Sequence, residues 1–202
     1  MSKKMIVALL LCLSAVTAQA EQVVIETKGI SMVLEVVKGA APQYVYFGPK
    51  LSANELQHLQ RPEADGRMDV YPAYGLNTPA EAALAMRHAD GNLSTALAVE
   101  GTERSGNTMT IRLKDPVYPI LVNLKYKTYQ EEDIIEAWTE IINNEKQTVT
   151  LTSFASAMLP IRRGDVWLSH FYGSWANEAR LVEEPLTPGQ KVISNKDGTR
   201  NS

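Results

Sequence analysis

Three histidines, one run of acids and two aromatic loops are the residues of this chain whose types can do chemistry. His58, His88 and His170 are far apart in sequence, and none stands at metal-ligand spacing from a partner. Each reads as a structural or solvated histidine. Glu131-Glu132-Asp133 is the densest acidic cluster. A glycosidase needs two carboxyl groups about 5–9 Å apart on opposite sides of the scissile bond. Adjacent acids in a hairpin point into solvent and do not bracket a sugar. Glu183-Glu184 reads the same way. There is no G-x-S-x-G elbow, phosphate-binding loop, H-E-x-x-H or dinucleotide fingerprint. The expectation is no catalytic residue, no metal site and no cofactor in this chain.

The aromatic loops say more. Tyr71-Pro72-Ala73-Tyr74-Gly75 is rigid and carries two rings. Phe171-Tyr172-Gly173-Ser174-Trp175 leaves a strand at a glycine and puts a tryptophan in the turn. Sugar C–H faces stack on such rings. The same rings also pack loops onto a core, because aromatics bury large areas. Tyr71, Tyr74 and Trp175, with Glu178 and Arg180 just beyond, are the candidates for a carbohydrate rim or an interface. Trp175 is expected at the mouth of the sandwich, with Glu178 and Arg180 placed to pair or to hydrogen-bond at that rim. Asn92-Leu93-Ser94 matches a glycosylation sequon, a short and common motif.

The elements that must position these residues are mostly strands. Thr108 to Asp115 alternates, with Met109, Ile111 and Leu113 opposed to Thr110, Arg112 and Lys114. Ile120 to Thr128 alternates too, and period two means strands with one wet face. Val23–Thr27, Met32–Lys38, Gln43–Lys50, Ile134–Ile142, Thr148–Ala157, Asp165–Tyr172 and Lys191–Asn195 continue the series. Turn clusters such as Asp90-Gly91-Asn92 and Ser105-Gly106-Asn107 punctuate it. Strands at roughly ten-residue intervals predict an antiparallel sandwich. One short helix is predicted, because Ser52-Ala53-Asn54-Glu55 is a capping box. A (β/α)8 barrel needs eight strand–helix units and about 250 residues, which this chain cannot supply.

Residues 1–20 have the three parts of a secretory signal: Lys3-Lys4, an apolar run, and Ala18-Gln19-Ala20 before Glu21. The run is shorter than the about 20 residues a membrane span needs. Export to the periplasm or the outside, with cleavage after Ala20, is the expectation. The only cysteine, Cys12, lies in this leader, so the 21–202 domain would have no disulfide and no thiolate. Losing Lys3 and Lys4 leaves 18 basic against 23 acidic side chains, none in a basic patch, which argues against nucleic acid as a partner.

Several short motifs, in order, carry a family likeness. Tyr46-Phe47-Gly48-Pro49-Lys50-Leu51 resembles an aromatic-Gly-x-Lys-Leu strand end in family 36 glycoside hydrolases. Tyr71-Pro72-Ala73-Tyr74-Gly75 resembles that family's Y-P-x-Y-G loop, and His88-Ala89-Asp90-Gly91 its H-A-D-G turn. Gly173-Ser174-Trp175-Ala176-Asn177-Glu178 is similar to G-x-W-x-x-E, and Leu186-Thr187-Pro188-Gly189-Gln190-Lys191-Val192-Ile193 to L-x-P-G-x-x-V-I. The resemblance implies an all-β supersandwich of the galactose-mutarotase-like kind. It would precede a (β/α)8 barrel holding both catalytic aspartates of a retaining α-galactosidase. It further implies that the domain supports that barrel and a homo-oligomer, while α-galactoside is the substrate of the parent enzyme. Where many members place Asp-Phe-Arg, this chain reads Leu76-Asn77-Thr78-Pro79, so no sugar contact is carried over to that loop. The polar ending Gly198-Thr199-Arg200-Asn201-Ser202 reads as a cut before the barrel. A stand-alone carbohydrate-binding or oligomerisation module is the other reading.

Overall fold

The protein is described from a computed structural model, covering residues 20–60, 68–75, 81–161, 164–174 and 177–194. The expected leader, the Leu76–Pro79 departure, Trp175 and the Gly198–Ser202 ending lie outside the described residues. The chain divides into two compact units, Met1–Pro160 and Ile161–Ser202.

The first unit holds three antiparallel sheets. One has the order β1 (Glu21–Glu26), β2 (Ile30–Val36), β3 (Gln43–Pro49). After α1 (Ala53–His58), β4 (Leu84–Arg87) pairs with the distant β9 (Thr150–Phe154). Between them runs a four-stranded meander of β5 (Ala98–Ser105), β6 (Thr108–Lys114), β7 (Ile120–Tyr129) and β8 (Ile134–Asn143). The second unit is a two-stranded ribbon of β10 (Trp167–Ser174) and β11 (Asn177–Pro185).

The alternation in β6 and β7 does what its period requires. Ile111 faces Leu124 and Leu113 faces Val122 across the ladder, and all four are buried. Their core also takes Val23 and Ile25 from β1, Leu34 from β2, and Leu84 and Met86 from β4. This is the predicted sandwich, made by apolar faces of several sheets meeting in one core. The capping box is real: Ser52 and Glu55 satisfy each other's backbone N–H groups at the start of α1.

Three strands escaped the pattern. β4 has four residues, β5 is broken by Gly101, and β11 is rich in charge. Conversely, the strand expected at Lys191–Asn195 is not formed at residues 191–194. Gly189 turns there at φ +136°, and the Lys191 ammonium reaches back to Glu184 at 2.7 Å.

The acids at 131–133 are also more than a solvated turn. Asp133, held at φ +57°, accepts hydrogen bonds from the Thr27 hydroxyl and, at 2.8 Å, from the Gly29 N–H. Glu131 pairs with Lys28. The β7–β8 tip therefore clasps the β1–β2 turn. A Cβ on Gly29 would lie 2.4 Å from the Asp133 carboxylate, which would have to shift to make room. The Thr27 hydroxyl, then the Gly29 amide and Lys50, hold the Asp133 carboxyl below its ordinary value of 3.8. A lowered folded pKa stabilises the fold above the unfolded value, and that stability is lost as pH falls through the folded value. Acid titration of stability should therefore show a loss below about pH 4 that is smaller in Asp133→Asn. An identical acid limb in the variant would remove Asp133 from the clasp.

Candidate functional site

Backbone turns between strands bring the chemically equipped side chains together at one place in the first unit. His88 directly follows β4. Its N–H donates to the Asn92 carbonyl at 2.8 Å, and the Gly91 N–H donates to the His88 carbonyl at 2.9 Å. Gly91 sits at φ +90°, where glycine is favoured. Asp90 closes this turn by accepting from the Asn92 N–H at 2.9 Å. That bond, with the Tyr118 hydroxyl at 2.9 Å, holds the Asp90 carboxyl below the usual range.

The β6–β7 turn presents Tyr118 to this loop. One oxygen of Asp115 accepts from the Val117 and Tyr118 N–H groups, each at 2.8 Å. The other accepts from the Ala96 N–H at 2.6 Å, tying the turn to the β4–β5 connection. The Tyr118 ring then stacks on His88 with centroids 3.5 Å apart and planes 8° off parallel.

The loop after β8 adds Glu145. Its carboxylate meets His88 Nδ1 at 2.7 Å and accepts from the Ala89 N–H at 3.0 Å. On its other side, His88 Nε2 meets the Thr95 hydroxyl at 3.0 Å. Thr95, His88 and Glu145 thus stand in the order nucleophile, base and orienting acid. Yet Thr95 is 1% and His88 2% exposed, so no substrate atom reaches the hydroxyl. The arrangement fixes loops. It has the geometry of a catalytic triad without the access.

This buried network carries the first aromatic loop. The Thr95 N–H donates to the Tyr74 carbonyl at 2.9 Å, and the Tyr74 N–H donates to the Leu84 carbonyl at 2.8 Å. Gly75, at φ +100°, lies so close to Ser94 that a Cβ would fall 2.5 Å from the Ser94 Cα. The two tyrosines then part ways. Tyr71 is 3% exposed and donates its hydroxyl to the Ala155 carbonyl at 2.9 Å, so it packs the loop down. Tyr74 is 52% exposed and is the ring offered to the surface.

The second candidate group lies in the ribbon. Arg180 sits opposite Tyr172 across the ladder and donates to the Asn177 side chain. Glu178 is exposed beside them. The register places Trp167, Ser169 and Phe171 on one face with Leu181, Glu183 and Pro185. Trp167, Phe171 and Leu181 are 63%, 56% and 55% exposed. The opposite face carries Leu168, His170, Val182 and Glu184, all half-buried. Sequence reasoning named Phe171 as part of the loop leading to Trp175 and missed Trp167. The alternation Trp167-x-Ser169-x-Phe171, with the two rings four residues apart on one face, was the available signal. The ribbon residues and the Tyr74 loop are separate candidates, each within its own unit. Among the described residues no group of side chains could hold a metal ion, and no helix is long and apolar enough to cross a membrane.

Comparison with known proteins gives this geometry a family context. Residues 40–202 match the family model of the glycosyl hydrolase family 36 N-terminal domain. The alpha-galactosidase Mel36A of Lactobacillus acidophilus is 25% identical over 214 residues, spanning 87% of this chain and 29% of that protein. The bifunctional alpha-galactosidase/sucrose kinase AgaSK of Mediterraneibacter gnavus is 30% identical over 102 residues, 50% of this chain and 11% of that protein. Among solved structures, the alpha-galactosidase from Lactobacillus brevis superposes with a TM-score of 0.71 at 18% identity, covering 86% of this chain and 28% of that one. The family 36 alpha-galactosidase AgaA from Geobacillus stearothermophilus gives 0.70 at 19%, covering 84% and 28%. The chain therefore spans less than a third of the length of each of these proteins.

Proposed function

This chain belongs to the family of glycosyl hydrolase family 36 N-terminal domains, and we propose that it is the non-catalytic β-sandwich of an exported α-galactosidase. In this reading it supports a (β/α)8 barrel and the assembly of an oligomer. The barrel carries the retaining hydrolysis of terminal α-galactosides. Export rests on the leader-like residues 1–20. Tyr74, Trp175, Glu178 and Arg180 stay the residues proposed for the rim or the interface. Tyr71 supports the loop from beneath, as its burial favours.

The ribbon is the observation that carries the supporting role. A two-stranded ribbon is marginal in water without a partner. This one holds Trp167, Phe171 and Leu181 open on a single face. Exposed apolar side chains grouped on one face, here on either side of the Ser169–Glu183 pair, favour an interaction site. Clusters of aromatics are also where interface energy concentrates.

The test is association with a separately purified family 36 barrel, followed by sedimentation. The double variant Trp167→Ser, Phe171→Ser should weaken association at least about tenfold, as expected for hot-spot aromatics. Its unfolding free energy should stay within about 0.5 kcal/mol of the parent per site, as for exposed positions. Unchanged association would take the ribbon out of the interface.

A further inference from the structure

An open pocket of about 510 Å³ lies where the edge of β1 meets the β5–β6 turn and the end of β7. It is lined by Val24, Glu26, Arg104, Asn107, Thr128 and Gln130, with Gly106 at the turn. The backbone explains why polar side chains gather here. The Thr27 N–H bonds the Ile30 carbonyl, so the inward-bonding residues of β1 are Val23, Ile25 and Thr27. The carbonyls of Val24 and Glu26 therefore point away from β2, as unpaired acceptors on an edge strand. Arg104 covers the first, donating to the Val24 carbonyl at 2.6 Å. Gln130 covers the second, donating through its amide nitrogen to the Glu26 carbonyl at 2.8 Å. Asn107 is anchored in the same way, donating its amide nitrogen to the Thr128 carbonyl at 2.8 Å.

These anchors decide what each side chain has left for a ligand. A carbonyl only accepts, so the amide nitrogens of Asn107 and Gln130 are fixed on the protein and their oxygens stay available. Arg104 keeps the rest of its donor fork. Neighbouring Arg112 is paired with Glu103 at 2.6 Å, whereas Arg104 has no carboxylate partner among the described residues. The pocket thus offers donors from one guanidinium and the second N–H of the Asn107 amide, acceptors from two amides, and the apolar side chain of Val24. Glu26 lines the pocket as well, with its carboxylate paired to Lys50 at 3.4 Å. A ligand that only accepts, such as phosphate or a carboxylate, would meet two amide oxygens and the Glu26 carboxylate. A ligand with adjacent hydroxyls can accept from Arg104 and donate to the amides at once, while laying its C–H face on Val24. We infer that this pocket is a subsite for a neutral saccharide, recognised through a pair of neighbouring hydroxyls. It involves no residue proposed above for the rim or interface and does not rest on the galactosidase reading.

An open pocket without a stacking ring binds a single sugar weakly, with a Kd of about millimolar order. The test is two-dimensional nuclear magnetic resonance of the chain, titrated with galactose, glucose and raffinose, and separately with phosphate and acetate. Saturating shifts centred on the Val24, Gly106, Asn107 and Gln130 amides are expected with at least one sugar. Arg104→Gln and Gln130→Leu should each raise Kd at least about tenfold, and thermal melts identify whichever variant stays folded. Preferential saturation by phosphate or acetate would overturn the saccharide assignment. So would absence of saturation by any sugar, or equal sugar binding in a folded variant.

Discussion

His88→Ala should lower the unfolding free energy by about 3–5 kcal/mol, the cost of removing one partner from a buried, hydrogen-bonded polar pair. The His88 side chain is 0% exposed and that of Glu145 7%. Alanine would leave the Glu145 oxygen at 2.7 Å and the Thr95 hydroxyl at 3.0 Å without their shared partner. A buried polar group left unmatched costs more than its hydrogen bond contributed. The stacked face of Tyr118 would lose its neighbour as well. The loss should therefore reach the β4–β5, β6–β7 and β8–β9 connections together. Urea unfolding should shift to a lower midpoint with an unchanged slope. His58→Ala is the control. That ring lies exposed on α1 and, among the described residues, bonds only the Asn54 carbonyl within its own turn, at 2.8 Å, so its removal should cost within about 0.5 kcal/mol. If the two substitutions prove equally mild, the His88 network does not hold the loops.

This network also shows where reading the chain alone runs out. The H-A-D-G stretch was visible as a family-like turn, but its energetic partners were not. Thr95 lies 7 residues from His88 and Glu145 lies 57 residues away. No local period connects them; only the pairing of β4 with β9 and the meander between them do. Asp133 failed to announce itself for the same reason, since Thr27 and Gly29 are 106 and 104 residues distant. Alternation, by contrast, is local. It located β6 and β7, because each has one face in the core and one in water. The capping box located α1 through four consecutive residues. β4 was too short to show a period, and the glycine of β5 and the charges of β11 masked theirs. Of the site candidates, the sequence marked the Tyr71–Gly75 loop as rigid and aromatic. It could not tell that Tyr71 turns inward and Tyr74 outward, because that depends on Ala155, 84 residues away.

In the proposed reading the sandwich stands beside a catalytic body, and the described side chains fit a supporting part. Retaining hydrolysis needs two carboxyl groups about 5–5.5 Å apart, flanking an accessible bond. Four of the described acids are spent otherwise. Glu145 is sealed against His88, and Asp133 clasps a turn. Glu140 pairs with Lys125 at 2.6 Å, and Glu184 with Lys191 at 2.7 Å. The hydroxyl bonded to His88, on Thr95, is buried.

The most direct measurement is therefore hydrolysis of a chromogenic α-galactoside by the purified chain. The account predicts no turnover above the uncatalysed rate at any substrate concentration. It also predicts no change when Glu131, Glu132 or Glu178 is replaced by glutamine. Turnover by the pure chain that is abolished by substituting a single acid within it would contradict the account, because the chemistry would then reside in the sandwich itself.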